Sequence, residues 1–227
     1  GYELSVSRPE VIFKEANGLA TEPMEHLVVD AGNLHQGAIL ECLGRRGAKF
    51  VNMTPEGSAR TRFEYIIASR ALMGFKTELM ALTKGLGMMH HSFHGYGPKG
   101  SDPAGRVNGV LIAMEKGVST GYALDSLQER NTLFVGAGVE VYEGMIVGIN
   151  SRENDLVVNP CKEKAMSNMR TKATDDAIVL TPPLVFTLEQ SLEFINDIEL
   201  VEVTPKSIRL RKKILSAHLR KRSQRED

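Results

Sequence analysis

Residues 22–96 carry two hydrophobic periods in a fixed alternation, and that alternation restricts the fold more than any other feature of the chain. Glu22 to Asp30 (EPMEHLVVD) reads as a strand. From about Leu34 the period lengthens to that of a helix, with Ala38, Ile39, Cys42 and Leu43 on one face and Asn33 expected as its N-cap. Arg45-Arg46-Gly47 ends that helix, with cations in the last turn and a glycine stop. Ala48 to Thr54 is a second strand, closed by a turn at Pro55-Glu56-Gly57. From Ala59 to Ala68 the side chains alternate, Phe63, Tyr65 and Ile67 to one face and Arg62 and Glu64 to the other. Ser69 is expected to cap a second helix whose buried stripe is Leu72, Phe75, Leu79 and Leu82; Gly85 closes it, and Leu86 to Tyr96 is the last strand. The order β-α-β-β-α-β is the ferredoxin-like split βαβ unit.

That order does not name a function. RNA-recognition motifs share it, but their third strand carries a K/R-G-F/Y-G/A-F-V-x-F/Y box. The corresponding strand here, Ala59 to Ile67, lacks the glycines, so Phe63 and Tyr65 are expected in the core and not on a base-stacking face. Residues 97–107 (GPKGSDPAGRV) have no apolar period and mark the best domain boundary. Beyond it the chain is strand-rich: Asn108 to Met114, Val139 to Ile149, Leu156 to Asn159, Ala177 to Leu180 and Ser207 to Lys212 read as short strands. Helices are expected at Ala123 to Arg130, at Leu188 to Asn196 behind the capping box Thr187-Leu188-Glu189-Gln190, and at Ile214 to Arg222. The expected class is α+β: a ferredoxin-like domain over 19–97 followed by a strand-rich, β-barrel-like domain with short helices over 98–227.

Two cysteines, Cys42 in the core pattern and Cys161 in a polar loop, do not make a disulfide scaffold, and no metal spacing links them. No apolar run approaches the roughly 20 residues of a membrane span. A reduced cytoplasmic setting without membrane attachment is the expectation. The 28 basic and 28 acidic residues cancel, but unevenly. Nine Lys or Arg and no acid lie between Lys206 and Arg225, which leaves 19 basic and 26 acidic residues before it. Such a tail suits an anionic partner or a solvated, frayed end.

No G-x-x-x-x-G-K-[ST] loop occurs, which argues against nucleotide triphosphate hydrolysis by this chain. Gly136-Ala137-Gly138 leads into another strand and not into a helix, so it is not a dinucleotide fingerprint. His90, His91 and His94 do not form a metal set, because strand neighbours point to opposite faces and no third ligand accompanies His90 and His94. The segment Asn159 to Thr174 is more informative. It sets Lys162, Lys164, Arg170 and Lys172 against the single acid Glu163, with Asn159, Ser167 and Asn168 interspersed. It is too long for a tight hairpin, and long loops of this kind are often functional. Cations with amides and hydroxyls suit phosphate and sugar contacts; a solvated loop is the other reading.

Spaced motifs then resemble one family along nearly the whole chain. Gln36-Gly37, Pro55-Glu56-Gly57, Ser69 to Phe75 and Gly85 to His90 resemble the fifth domain of elongation-factor-G-type GTPases in its TypA/BipA form. Arg106-Val107-Asn108-Gly109, Val141-Tyr142-Glu143-Gly144, Arg152 to Asp155, Pro182-Pro183 and Val203 to Arg211 resemble the C-terminal domain found only in TypA/BipA. Residues 1–18 resemble the tail of the preceding third domain. Ala71, Ala68 and Leu86 depart from the family's usual glycine, proline and threonine. The resemblance implies a chain cut from a ribosome-dependent translational GTPase, with GTP and Mg held by a GTPase half that lies outside this sequence and no cofactor in this part. It implies contact with the large ribosomal subunit, ribosomal RNA and the acceptor end of an A-site tRNA, and a role in ribosome assembly and in growth under cold or other stress. The RNA-binding residues carried over are Asn159, Lys162, Lys164, Ser167, Asn168, Arg170 and Lys172 of the long loop, with Arg209, Arg211, Lys212 and Lys213 of the tail. A competing expectation is a ferredoxin-like regulatory domain for a small molecule.

Overall fold

The structure, a computed structural model, describes residues 2–16, 18–100, 106–163 and 178–226, with side chains through Ser223. Two compact units divide the chain: Pro9–Gly105, and Gly1–Arg8 together with Arg106–Asp227. Residues 1–18 are therefore shared between the two, and the boundary expected near 97 falls after Gly105.

In chain order the first strand, β1 (Leu4–Val6), belongs to the strand-rich unit. The other unit then follows without interruption. It comprises β2 (Lys14–Ala16), β3 (Leu19–Gly32), α1 (Gln36–Arg45), β4 (Lys49–Glu56), β5 (Arg60–Ala68), α2 (Phe75–Leu82) and β6 (Met88–Pro98). The sheet runs β4-β5-β3-β6 with every pair antiparallel, and β2 extends the far end of β3. This is the ferredoxin-like arrangement. Alternation along β5 places Phe63, Tyr65 and Ile67 beneath the helices, where they join Leu27, Val29, Ile39, Leu43, Phe75 and Leu79 in one core. No aromatic of the third strand is left free to stack on a base.

Two helix starts differ from expectation. Asn33 opens a 3₁₀ turn (Asn33–His35) and caps nothing; its amide donates to Ser58 O at 3.1 Å and accepts from Thr61 Oγ1 at 2.8 Å, tying the turn to the β4–β5 connection. Ser69 likewise opens a 3₁₀ turn (Ser69–Leu72), and α2 begins only after Gly74, which sits at φ +74°. At the other end Gly85, at φ +82°, donates to Met80 O at 2.7 Å and closes α2 as read from the sequence.

The second unit contains β7 (Val110–Ala113), β8 (Gly117–Val118), α3 (Gly121–Gln128), β9 (Thr132–Leu133), β10 (Glu140–Val141), β11 (Met145–Ile149) and β12 (Leu156–Val158). It ends with α4 (Leu188–Phe194), β13 (Glu199–Val203), β14 (Ile208–Lys212) and α5 (Ala217–Glu226). The main sheet runs β1-β13-β14-β11-β7-β12, with β9 also on β11; β8 and β10 form a separate ribbon. The α+β class holds, while among the described residues the sheet path ends at β1 and β12 and does not close into a barrel. Two apolar clusters sandwich this sheet, one under α3 around Leu111, Leu124 and Val147, the other under α4 around Val110, Ile146 and Val201. Residues 178–180, expected within a strand, are irregular; their polar backbone is instead bound by the Gln128 side chain. The helix behind Thr187 has its full capping box: Thr187 Oγ1 accepts from Gln190 N, and Gln190 Oε1 accepts from Thr187 N.

Candidate nucleic-acid interface

Of the segment read as a long loop, the described part runs from Asn159 to Glu163, and the described chain resumes at Ile178. Its root is built rigidly. Asn159 Oδ1 accepts from Cys161 N at 2.9 Å, while its Nδ2 donates to Glu115 Oε1 at 2.5 Å. Thr120 N donates to Pro160 O at 2.9 Å. The Thr120 hydroxyl has two tasks: it caps α3 by accepting from Ala123 N at 3.2 Å and donates to Lys162 O at 2.6 Å. On the return side, Gln128 at the other end of α3 donates to Val179 O at 2.9 Å and accepts from Thr181 N at 2.8 Å and Thr181 Oγ1 at 3.0 Å. Helix α3 is thus the clamp that holds the described residues on either side of this segment. At eight residues it separates the two fixings by roughly 12 Å.

The clamp bears on one assignment. One N–H and one lone pair of the Asn159 amide are engaged in shaping the root, so Asn159 holds the chain direction there and keeps one N–H and one lone pair for a further contact. Lys162 is exposed at the exit. Lys164, Ser167, Asn168, Arg170 and Lys172 lie outside the described residues. Thr120 and Gln128 were not singled out from sequence, although a threonine just before an apolar helical run is an N-cap signal.

The tail cations separate into two kinds. Alternation along β14 turns Leu210 and Lys212 to one face and Arg209 and Arg211 to the other. Lys212 is 1 % exposed. Its Nζ lies 2.6 Å from Glu199 Oε1 and 2.6 Å from Asp155 Oδ2. Glu199, fully buried, also takes both Nη atoms of Arg106, at 3.0 and 3.1 Å, and the Asn196 N–H at 2.9 Å. Arg106 in turn stacks on the Phe194 ring, 4.4 Å from its centroid. Burial by itself would raise the Glu199 carboxyl, but the Arg106 hydrogen bonds and the Lys212 and Arg106 charges hold it below the usual carboxylate range. Lys212 is therefore a structural cation, and its assignment to RNA is withdrawn.

Arg211 is mostly committed as well, its Nε 2.7 Å from Glu202 Oε1. Glu202 also accepts from the Tyr142 hydroxyl; burial first, then this carboxylate, push the phenol above its ordinary value. Arg209 stands directly across from Glu202, yet no carboxylate comes within ion-pair distance of it among the described residues. Lys213 and Lys206 are exposed and likewise without an ion pair there. Lys206 rides on the turn between β13 and β14, a position that reading the tail as one block of cations does not single out. Among the described cations from Lys206 to Lys213, those without an ion pair are thus Lys206, Arg209 and Lys213. No helix among the described residues is long and apolar enough to cross a membrane.

The TypA/BipA C-terminal domain family matches residues 108–217, and the elongation factor G C-terminus family matches residues 20–107. Among curated relatives, the large ribosomal subunit assembly factor BipA of Haemophilus influenzae is 51 % identical over 226 residues, covering 99 % of this chain and 37 % of the relative. The protein of the same description from Escherichia coli strain K12 is 49 % identical with the same coverage. That from Buchnera aphidicola is 48 % identical over 227 residues. The chain spans 37 % of the length of these relatives. A crystal structure of a Thermus thermophilus protein overlaps 36 % of the chain and 12 % of its own, at 25 % identity and a TM-score of 0.34, too little to bear on the fold. With an elongation factor G C-terminus followed by a TypA/BipA C-terminal domain and about half of its residues identical to the BipA relatives, the chain belongs to the TypA/BipA family and corresponds to its C-terminal part.

Proposed function

We propose that this chain is the ribosome-docking, RNA-binding part of a TypA/BipA GTPase, acting in assembly of the large subunit. One observation carries the reading: the near end-to-end likeness to proteins described as large ribosomal subunit assembly factors. The nucleotide chemistry, with its GTP and Mg, belongs to a GTPase domain outside this sequence, and this part performs no hydrolysis. Docking places the unit near the A site, with the long loop directed at ribosomal RNA and at the acceptor end of a tRNA. Service under cold or other stress and a cytoplasmic location accompany the role.

The geometry supplies a reason for the loop to act as a reader. The described residues on either side of this segment are held against α3, at Lys162 O and Val179 O, which supports reading it as presented from a defined root. Phosphate neutralisation by such cations dominates affinity and makes it salt-dependent. Replacing Lys162, Lys164, Arg170 and Lys172 together with alanine removes four positive charges. Expected is weaker co-sedimentation with large ribosomal subunits, a salt slope smaller by about three, and an unchanged melting temperature. Unchanged co-sedimentation overturns the assignment of the loop.

A further inference from the structure

A cleft in the strand-rich unit arises from the topology of the sheet. Strand β11 pairs with β7 along one edge. Along its other edge it pairs first with β14, at Met145↔Arg211 and Ile146↔Leu210, and then with β9, at Gly148↔Leu133 and Ile149↔Thr132. Phe134 N continues the second pairing by donating to Val147 O at 2.8 Å. The first half of β14 and the Phe134 segment therefore diverge from the same edge and leave a gap. That gap is a cleft of about 530 Å³, within the range of roughly 300–1,000 Å³ typical of ligand pockets.

Its lining is largely apolar and includes two cations, Lys206 on the β13–β14 turn and Arg209, which alternation turns to the sheet face opposite Leu210. Phe134 and Phe186, with ring centroids 5.0 Å apart, back the cleft with Ile146 and Leu210. Ile208 stands at the rim, 38 % exposed. Arg209 and Lys206, which have no ion pair among the described residues, line the same cleft. Lys206 is presented by a braced turn. Thr204 N and Thr204 Oγ1 both donate to Ser207 O, at 3.0 and 2.9 Å, and Thr204 Oγ1 accepts from Ser207 N at 3.0 Å. The backbone beneath the lysine is thus ordered before any ligand arrives, which lowers the entropic cost of binding.

We propose that this cleft takes one unstacked nucleotide of single-stranded RNA, its base against the Phe134 wall and its phosphate on Lys206 and Arg209. An aromatic wall beside unpaired cations is the combination that holds a splayed nucleotide, since every base offers a ring face and every phosphate a charge. Such a wall without cations would suit an apolar peptide instead. The inference rests on the RNA-binding reading above and adds a second contact to it, on the sheet.

The test is fluorescence titration of the full chain with a short single-stranded RNA carrying one 2-aminopurine, beside the same RNA carrying an abasic residue there. Expected are quenching on binding, weaker binding of the abasic RNA, and about tenfold weaker binding by a Lys206→Ala/Arg209→Ala variant with unchanged melting. An Ile208→Glu variant, placing a carboxylate at the rim, is expected to abolish quenching. Equal affinity for the two RNAs, or quenching that survives Ile208→Glu, overturns the proposal. Co-sedimentation of the wild-type chain with large ribosomal subunits separates the two readings. Sedimentation without quenching removes the cleft and keeps the docking role, whereas loss of both removes the RNA-binding reading itself.

Discussion

Replacing Lys212 with alanine separates a structural cation from a binding one, and the size of its effect follows from the geometry. The ammonium is almost wholly removed from water and bridges Glu199 and Asp155, each at 2.6 Å. Deleting one partner of a buried ion pair costs about 3–5 kcal/mol, because the other is left buried and uncompensated. Here the lower end applies, for two reasons. Glu199 keeps its two-pronged bond to Arg106 and the Asn196 N–H, and the Asp155 side chain, 35 % exposed, recovers part of its hydration. About 3 kcal/mol corresponds to a fall of roughly 10 °C in melting temperature for a unit of this size. The chain has two compact units, so a single melting curve mixes them. Amide exchange in peptides covering β13 and β14 isolates the affected part, and protection governed by opening of the whole unit is expected to drop there about a hundredfold. Unchanged protection in those strands, together with a melting shift below about 2 °C, would refute the structural assignment. Loss of ribosome binding at wild-type stability would return Lys212 to the RNA-binding set.

Other outcomes follow from the same structure. Glu199, Glu22 and Glu78 all have carboxyls held below the ordinary value of 4.5: burial opposes the shift and arginine hydrogen bonds outweigh it. A depressed carboxylate contributes stability that is complete above the unfolded value and lost as pH falls through the lower folded one. Urea midpoints are therefore expected to hold from neutral pH to about pH 5 and to decline below about 4.5, whereas a flat profile into that range would contradict these networks. Gly144→Ala is expected to destabilise the strand-rich unit by about 2 kcal/mol or more, through the left-handed backbone and the crowding together. The site has φ +84°, and a Cβ there would lie 2.7 Å from Leu215 Cα. Thermal melts of the variant check this.

How far the sequence could be read depended on the distance over which each residue is answered. Phe63, Tyr65 and Ile67 announce their own face through alternation, and Thr187 with Gln190 announces a cap within one turn; both are present as read. Asn33 and Ser69 mislead because a cap residue and the opening of a 3₁₀ turn look alike locally, and the partners that decide, Ser58 O and Thr61 for Asn33, come from another strand. Lys212 stands in a run of cations, yet its carboxylates arrive through sheet pairing and from the β12 approach. Strands such as β8, β9 and β10, two residues each, are too short to carry a period, and they exist because neighbouring segments bind them. The pocket beside β14 was invisible for a related reason. It is a gap between two partners of one strand, a property of register and not of composition. The cations between Lys162 and Lys172 were noticed in the sequence as a group, but the contacts that hold the described residues on either side, from Thr120 capping α3 and Gln128 at its end, become evident only in the fold.

The most direct test of the account is sedimentation of this chain with purified large ribosomal subunits over a series of salt concentrations. The account predicts binding at low salt that weakens steeply, with a log–log slope of magnitude about three or greater, as expected for at least four phosphate-neutralising cations. Binding that ignores salt, or no binding at low salt, would contradict the claim that these units recognise ribosomal RNA.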